Sequence, residues 1–207
     1  MYQTIMTRKK HKKKWFRISL FLLLLFVCIR LITGFLDSRV CEGDGNIPFY
    51  LQTDSKWADK PYGDGTMEEN GCGPTCLSMV YCGLTGDDRW DPYTLAKRAD
   101  REGYYIAGSG TAWSMMVDLA QQLGLTVKHI SYDENVIRQA LQSGTPIICS
   151  MRPGDFTTTG HFIVLAGIRE DGNILIRDPN SRHNSRKAWK LERLMPQIKN
   201  LWGYEVS

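Results

Sequence analysis

The sequence predicts an α+β domain, with helices packed on an antiparallel sheet, preceded by a single transmembrane helix. Helical patterns come first, in an apolar run that opens at Cys72 and in segments at 92–101, 111–123 and 134–142. Three β-rich runs follow, at 146–151, 161–168 and 173–177. Helices that precede an antiparallel sheet in this way are typical of the α+β class.

Local signals justify these elements in turn. Pro74 suits the first turn of the helix at Cys72, where a missing N–H costs nothing, and Gly83 is expected to end it. Thr111 is expected to cap the segment 111–123, which stops at Gly124. Glu-Asp-Gly joins the last two β-rich runs as a hairpin turn. The remaining predicted pieces are an extended segment at 48–51, a turn-rich loop at 54–71, a strand at 126–130, a helix at 190–199 and a strand at 202–206.

The N-terminal region predicts a membrane anchor. We expect a cytoplasmic basic tail at 1–14, a transmembrane helix at 15–36, a linker at 37–47 and one domain at 48–207. Within residues 15–36, an almost unbroken apolar stretch runs from 18 to 29, is interrupted by Arg30 and continues to 36; a helix needs about 20 residues to cross the hydrocarbon core. The basic cluster should stay in the cytoplasm, so the domain should face outward on the cell membrane. A cleaved signal peptide, giving a secreted protein, is the alternative.

The net charge of +4 does not indicate a nucleic-acid partner. Residues 1–36 hold eight basic residues and no acidic one, which leaves 18 of the 26 basic residues against all 22 acidic residues in the remainder. The domain is therefore mildly acidic, and no basic surface for phosphate groups is expected. The membrane is the one partner that the basic segment predicts.

Cys72 is the candidate nucleophile. A thiol attacks carbonyl groups as the thiolate, and a helix N-terminus stabilises that anion through its free N–H groups and its dipole. Cys72 follows Gly71 and opens the apolar helix, and both of its neighbours are glycine. This placement favours a reactive thiol, although a small apolar residue in a helix start would also fit.

His161 and Asp178 are the candidate base and its orienting group. His161 opens the apolar strand 161–168, where its ring can reach a thiol across a cleft. If that strand pairs with 173–177 through the turn at 169–172, Asp178 falls beside His161. A carboxylate there fixes the imidazole tautomer and supports its positive charge. Gln52, twenty residues before Cys72, is the candidate donor to an oxyanion.

The order glutamine, cysteine at a helix start, histidine and aspartate resembles that of papain-like cysteine peptidases. The strings at 50–54 with Trp57, at 71–76, at 160–165 and at 178–179 resemble the double-glycine-leader (bacteriocin-processing) peptidases. They look more like the stand-alone relatives called peptidase family C thirty-nine-like. The resemblance implies a papain-like fold, a peptide or protein substrate, and a Cys72, His161, Asp178 and Gln52 site.

The resemblance leaves some alternatives open. Leader-processing members usually precede a transporter and face the cytosol, so their double-glycine substrate does not carry over to a chain predicted to face outward. A hydrolase of peptidoglycan stem peptides and a non-catalytic peptide-binding module of the same fold are the other hypotheses. Cysteine spacing predicts no metal site, and no cofactor is expected. Disulfide pairing among Cys41, Cys76, Cys82 and Cys149, and the oligomeric state, stay open.

Overall fold

A six-stranded antiparallel sheet with helices on both faces forms the centre of the structure, a computed structural model that describes residues 47–207 together with Leu25. The predicted tail, anchor and linker lie outside the described residues, apart from Leu25 and Ile47. Within the described part of the chain, no helix is long and apolar enough to cross a membrane. The predicted α+β class, with an antiparallel sheet, is confirmed.

The helices are α1 (Met67–Asn70), α2 (Cys72–Thr85), α3 (Pro92–Arg101), α4 (Asp118–Gln122), α5 (Glu134–Gln142), α6 (Arg182–Arg186) and α7 (Leu191–Leu194), with 3₁₀ turns at Trp113–Met116 and Met195–Gln197. The strands are β1 (Pro61–Tyr62), β2 (Gly65–Thr66), β3 (Tyr105–Ile106), β4 (Gly110–Thr111), β5 (Leu125–Lys128), β6 (Ile147–Met151), β7 (His161–Ile168), β8 (Ile174–Arg177), β9 (Ala188–Trp189) and β10 (Ile198–Val206).

The main sheet has the order β5-β10-β6-β7-β8-β9, and each neighbouring pair is antiparallel. Side chains on β7 alternate between its two faces, as the pleat of a strand requires. Phe162 and Val164 join a core with α2, α3 and α4, whereas Ile163 and Leu165 join a second core with α5 and α7. The sheet therefore separates two apolar layers, and the first ties the N-terminal helices to β7.

The helix that opens at Cys72 is longer than predicted. The helix α2 runs past Gly83 and ends at Gly86, whose φ of 71° is the left-handed conformation typical of a C-terminal cap. Gly83 is glycine for another reason, because a Cβ there would lie 2.6 Å from Ile47 Cδ1 and 2.9 Å from Ile47 Cα. Close tertiary packing, rather than the end of the helix, explains this glycine.

The segment 111–123 is not one Thr-capped helix. Thr111 lies in β4, which pairs with β3, and its hydroxyl bonds to the hydroxyl of Tyr62 at 2.8 Å. A 3₁₀ turn and then the short α4 follow. The predicted loop 54–71 holds the β1–β2 hairpin and α1, while residues 190–199 form α7, a 3₁₀ turn and the start of β10. Helices at 92–101 and 134–142 and the strand 161–168 were predicted correctly.

Candidate active site

Cys72 is the first residue of α2, and its side chain is half-buried. The first N–H groups of a helix have no acceptor within the helix, so this position stabilises an anion. The first turn packs closely on β4, since a Cβ at Gly73 would lie 2.7 to 2.9 Å from three side-chain atoms of Thr111. Glycine at 73 therefore allows the start of α2, and with it the sulfur of Cys72, to approach β4.

His161 is the first residue of β7 and has 7% of its surface exposed. Its Nε2 lies 2.8 Å from Oδ1 of Asp178, which follows β8 and is 1% exposed. Because Nε2 faces the carboxylate, Nδ1 is the ring nitrogen that remains for Cys72, whose thiol contributes to the raised pKa of His161. The structure thus places His161 in direct contact with Asp178 and near Cys72.

The electrostatics of these three residues favour a thiolate and an imidazolium. Burial alone raises the pKa of Cys72, but the hydrogen bond and charge of His161, with backbone hydrogen bonds at Phe162 and Gly73, leave that pKa lowered. Burial alone lowers the pKa of His161, but hydrogen bonds with Asp178 and Cys72, together with their charges, leave it raised. Each ionised group stabilises the other, so the arrangement favours the ion pair over the two neutral groups.

Asp178 is itself held by several donors. The backbone N–H of Asn180 donates to Oδ1 at 3.0 Å, and Nδ2 of Asn184 donates to Oδ2 at 2.9 Å. The backbone N–H of Asp178 donates to the hydroxyl of Ser185 at 2.8 Å. Asn184 and Ser185 lie on α6, which the sequence reasoning missed. Ser181, which caps α6 by accepting a hydrogen bond from the N–H of Asn184, was the signal that could have found it.

Gln52 is buried, with 3% of its surface exposed, and it is not among the residues that line the cleft beside Cys72 and His161. Its backbone N–H donates to the carbonyl of Pro179 at 2.8 Å, and its Nε2 donates to the carbonyl of Glu68 at 2.7 Å. These two contacts tie Gln52 to Pro179, the residue after Asp178, and to α1, which precedes Cys72. Its Oε1 is buried with no hydrogen-bond partner among the described residues. The side-chain amide of Gln52 has a second N–H, which is not used in the bond to Glu68.

A cleft of about 660 Å³ opens beside Cys72 and His161. Its helical-side wall comes from the β1–β2 hairpin, α1 and the β3–β4 hairpin, and its other wall comes from the ends of β6 and β10 and the start of β7. The thiol and the imidazole both face this space. A bound carbonyl group in the cleft would therefore be within reach of the sulfur.

The loop between β6 and β7 is fixed by a polar clamp. Two guanidinium nitrogens of Arg193, Nε and Nη2, donate to the carboxylate of Asp155 at 2.7 and 2.6 Å. Gln197 accepts from the backbone N–H of Asp155 at 2.7 Å and donates to its carboxylate at 2.9 Å. This loop leads directly into His161, and Arg152 and Gly160 at its ends line the cleft. The clamp therefore holds one wall of the cleft in place.

The cysteines near the site have distinct states. Cys76 and Cys149 are buried and free, and burial raises the pKa of both thiols, as expected for residues that pack in the core. Cys82 is disulfide-bonded. In the described part of the chain, no group of three or more His, Cys, Asp or Glu residues could hold a metal ion.

The chain is similar to known peptidases. A family model described as "Peptidase_C39 like family" matches residues 45–205. The peptidase domain of Streptococcus ComA, a bifunctional ABC transporter involved in quorum sensing, is 20% identical over 67% of this chain and 93% of its own, with a TM-score of 0.49. A protein from Bacillus anthracis described as a candidate C39-like peptidase is 16% identical over 79% of this chain and 96% of its own, with a TM-score of 0.46. A search of curated proteins gave no match.

Proposed function

The chain belongs to the Peptidase_C39 like family, and from this premise we propose that it is a papain-like cysteine peptidase that hydrolyses peptide bonds through Cys72, His161 and Asp178. The observation that carries the proposal is the ring of His161, which hydrogen-bonds Asp178 at 2.8 Å and interacts with Cys72 strongly enough to raise the pKa of the ring. The lowered pKa of Cys72 supports a nucleophilic thiolate, and the cleft beside it supports access for a substrate.

The reaction follows from this ion pair. The sulfur of Cys72 attacks the carbonyl carbon, and the carbonyl oxygen becomes an oxyanion that accepts hydrogen bonds from the backbone N–H of Cys72 and from the amide of Gln52. His161 gives its proton to the leaving amine as the C–N bond breaks, which leaves a thioester on Cys72. His161 then takes a proton from water, the hydroxide attacks the thioester, and the carboxylic acid product leaves as the thiolate re-forms.

Asp178 keeps the ring in place throughout these steps. Its carboxylate accepts the N–H of His161 at Nε2, so the other ring nitrogen stays directed at the sulfur. The two additional donors, Asn180 and Asn184, fix the carboxylate itself. One ring nitrogen, held in a fixed position, therefore accepts and donates the proton that moves between the sulfur, the leaving group and water.

We further propose that residues 15–36 anchor the enzyme in the cell membrane with the domain outside the cytoplasm. The apolar run with basic residues on one flank supports this orientation. The disulfide at Cys82 supports an oxidising compartment, since disulfides are rare in the cytosol. An impermeant thiol probe applied to intact cells tests this point, because an inward-facing domain would remain unlabelled until the cells are lysed.

The catalytic proposal is tested with the full chain and a peptide library. Cys72→Ala should abolish hydrolysis and labelling by a thiol probe. Cys149→Ala is the matched control, because it removes a buried thiol of raised pKa and should leave both readouts unchanged. Purified peptidoglycan in a parallel reaction separates a stem-peptide hydrolase from a general peptidase. Unchanged hydrolysis by the Cys72→Ala protein would refute the proposal.

A further inference from the structure

The two walls of the cleft carry opposite charges. Asp64 and Glu69 line the helical-side wall, whereas Arg152 and Lys199 line the sheet-side wall. All four side chains are exposed. None of the four forms an ion pair with any described residue. Their charges are therefore available to a molecule that enters the cleft.

The acidic wall is held in position by its neighbours without being neutralised. The carboxylate of Asp64 accepts hydrogen bonds from the hydroxyl of Tyr105 and, at 3.4 Å, from Nδ2 of Asn70. Glu69 accepts from the backbone N–H of Thr66 at 2.9 Å as part of the cap of α1. All of these donors are uncharged, so the hydrogen bonds that hold the two carboxylates do not pair them with a cation.

The basic wall is fixed in a similar way. The backbone N–H of Arg152 donates to the carbonyl of Gln197 at 2.6 Å, which ties this residue to the polar clamp. The Nζ of Lys199 lies 5.2 Å from the ring centroid of Trp113, which also lines the cleft. An aromatic ring attracts a cation without removing its charge. The sheet-side wall thus carries two positive charges, that of Lys199 beside Trp113 and that of Arg152, whose Nε donates to the carbonyl of Ile198 at 3.4 Å.

We propose that this cleft selects peptides that carry a cationic and an anionic side chain on opposite sides of the backbone, an inference that rests on the proposed peptidase function. The cationic group faces Asp64 and Glu69, and the carboxylate faces Arg152 and Lys199. Successive side chains of an extended peptide point to opposite sides. The two charges of the substrate therefore lie at neighbouring positions or at another odd spacing.

The expected preference is moderate, because the walls are open to solvent. An exposed ion pair improves binding by roughly 1.5-fold to fivefold, so the two walls together should favour the oppositely charged peptide by about tenfold over a neutral one. Salt screens such pairs, so the preference should decrease when the ionic strength is raised toward 1 M. A preference that comes from apolar contacts would not decrease in this way.

The test compares hydrolysis of internally quenched peptides that differ only in two neighbouring residues, Lys-Glu, Glu-Lys or Gln-Gln. The wild-type protein should prefer one of the two charged orders over Gln-Gln. Lys199→Glu should abolish the preference for an acidic residue, and Asp64→Asn should weaken the preference for a basic one. Lys187→Glu is the matched control, because Lys187 also lies over a tryptophan ring, that of Trp189, but outside the cleft.

The outcomes separate this inference from the proposed function. Equal hydrolysis of all three peptides, unchanged in Lys199→Glu, would overturn the inference while the peptidase proposal stands. If no peptide is cleaved, the same peptides are tested as protectants of Cys72 against iodoacetamide. One of the two charged peptides should then slow alkylation about fivefold more than Gln-Gln does. Equal protection by the three peptides would overturn the inference.

Discussion

Replacing Asp178 with asparagine removes one negative charge from the site and nearly preserves its shape. The carbonyl oxygen of the new side chain can occupy the Oδ1 position and still accept from His161 and from the backbone N–H of Asn180. The new NH₂ group then faces Nδ2 of Asn184, whose amide must rotate to present its oxygen. The variant therefore tests the charge of Asp178 separately from its hydrogen-bond geometry.

The size of the effect follows from the hydrogen bond to His161. A bond to a charged partner contributes about 1.5–3 kcal/mol and a neutral one about 0.5–1.5 kcal/mol, so the loss is about 1–1.5 kcal/mol. This loss should lower the pKa of His161 by about one unit, since one unit corresponds to about 1.4 kcal/mol. A His161 ring that is protonated less readily stabilises the thiolate less, so the pKa of Cys72 should rise.

The sign of the pH dependence is fixed by these two shifts. The ion pair needs Cys72 deprotonated, which requires a pH above its lowered pKa, and His161 protonated, which requires a pH below its raised pKa. The active range lies between the two apparent values, which belong to the coupled pair. Asp178→Asn should narrow this range from both ends and reduce kcat/KM about tenfold at neutral pH.

The assay measures kcat/KM and the rate of Cys72 alkylation against pH. The alkaline limb of kcat/KM should move to lower pH by about one unit in Asp178→Asn. Asp171→Asn is the control, because Asp171 lies on the exposed turn of the same β7–β8 hairpin and accepts hydrogen bonds from Asn173 rather than from a residue of the site. A folded Asp178→Asn protein whose alkaline limb coincides with that of the control would refute the role given to the carboxylate.

Three further predictions concern the support of the site. Gly73→Ala should lower the free energy of unfolding by about 1–3 kcal/mol, measured in urea, because its Cβ would overlap the side chain of Thr111. Gly167→Ala is the control, since a Cβ there meets nothing within 4 Å, and it should lower the free energy of unfolding by less than about 1 kcal/mol. Gln197→Ala should raise KM more than it lowers kcat, because the loop that carries Asp155 loosens while His161 stays in β7, and an equal fall in kcat would contradict this. Gln52→Ala should lower kcat by about 10²-fold without changing the alkylation of the thiol, as expected for an oxyanion donor; unchanged kcat would show that it has no such role.

The sequence by itself determined the nucleophile, the base and the orienting carboxylate as candidates, because each one has a local signal. Cys72 opens an apolar helix after a glycine, and His161 opens an apolar strand. The hairpin turn at 169–172 brings the end of β8 back beside the start of β7, so the contact between His161 and Asp178 depends on a short stretch of chain. Within such a stretch, turn chemistry and strand pairing determine which residues meet.

Other features were decided only by the tertiary structure. Gly83 suggested a helix end, yet it is glycine because Ile47, far away in the sequence, packs against it. The charged walls of the cleft join Asp64, near the start of the domain, with Lys199, near its end. No local pattern relates two such residues, because their separation depends on how every element between them packs. The candidate reacting groups are therefore indicated by local patterns, whereas the charged surroundings of the cleft emerge only when the two apolar layers form around the sheet.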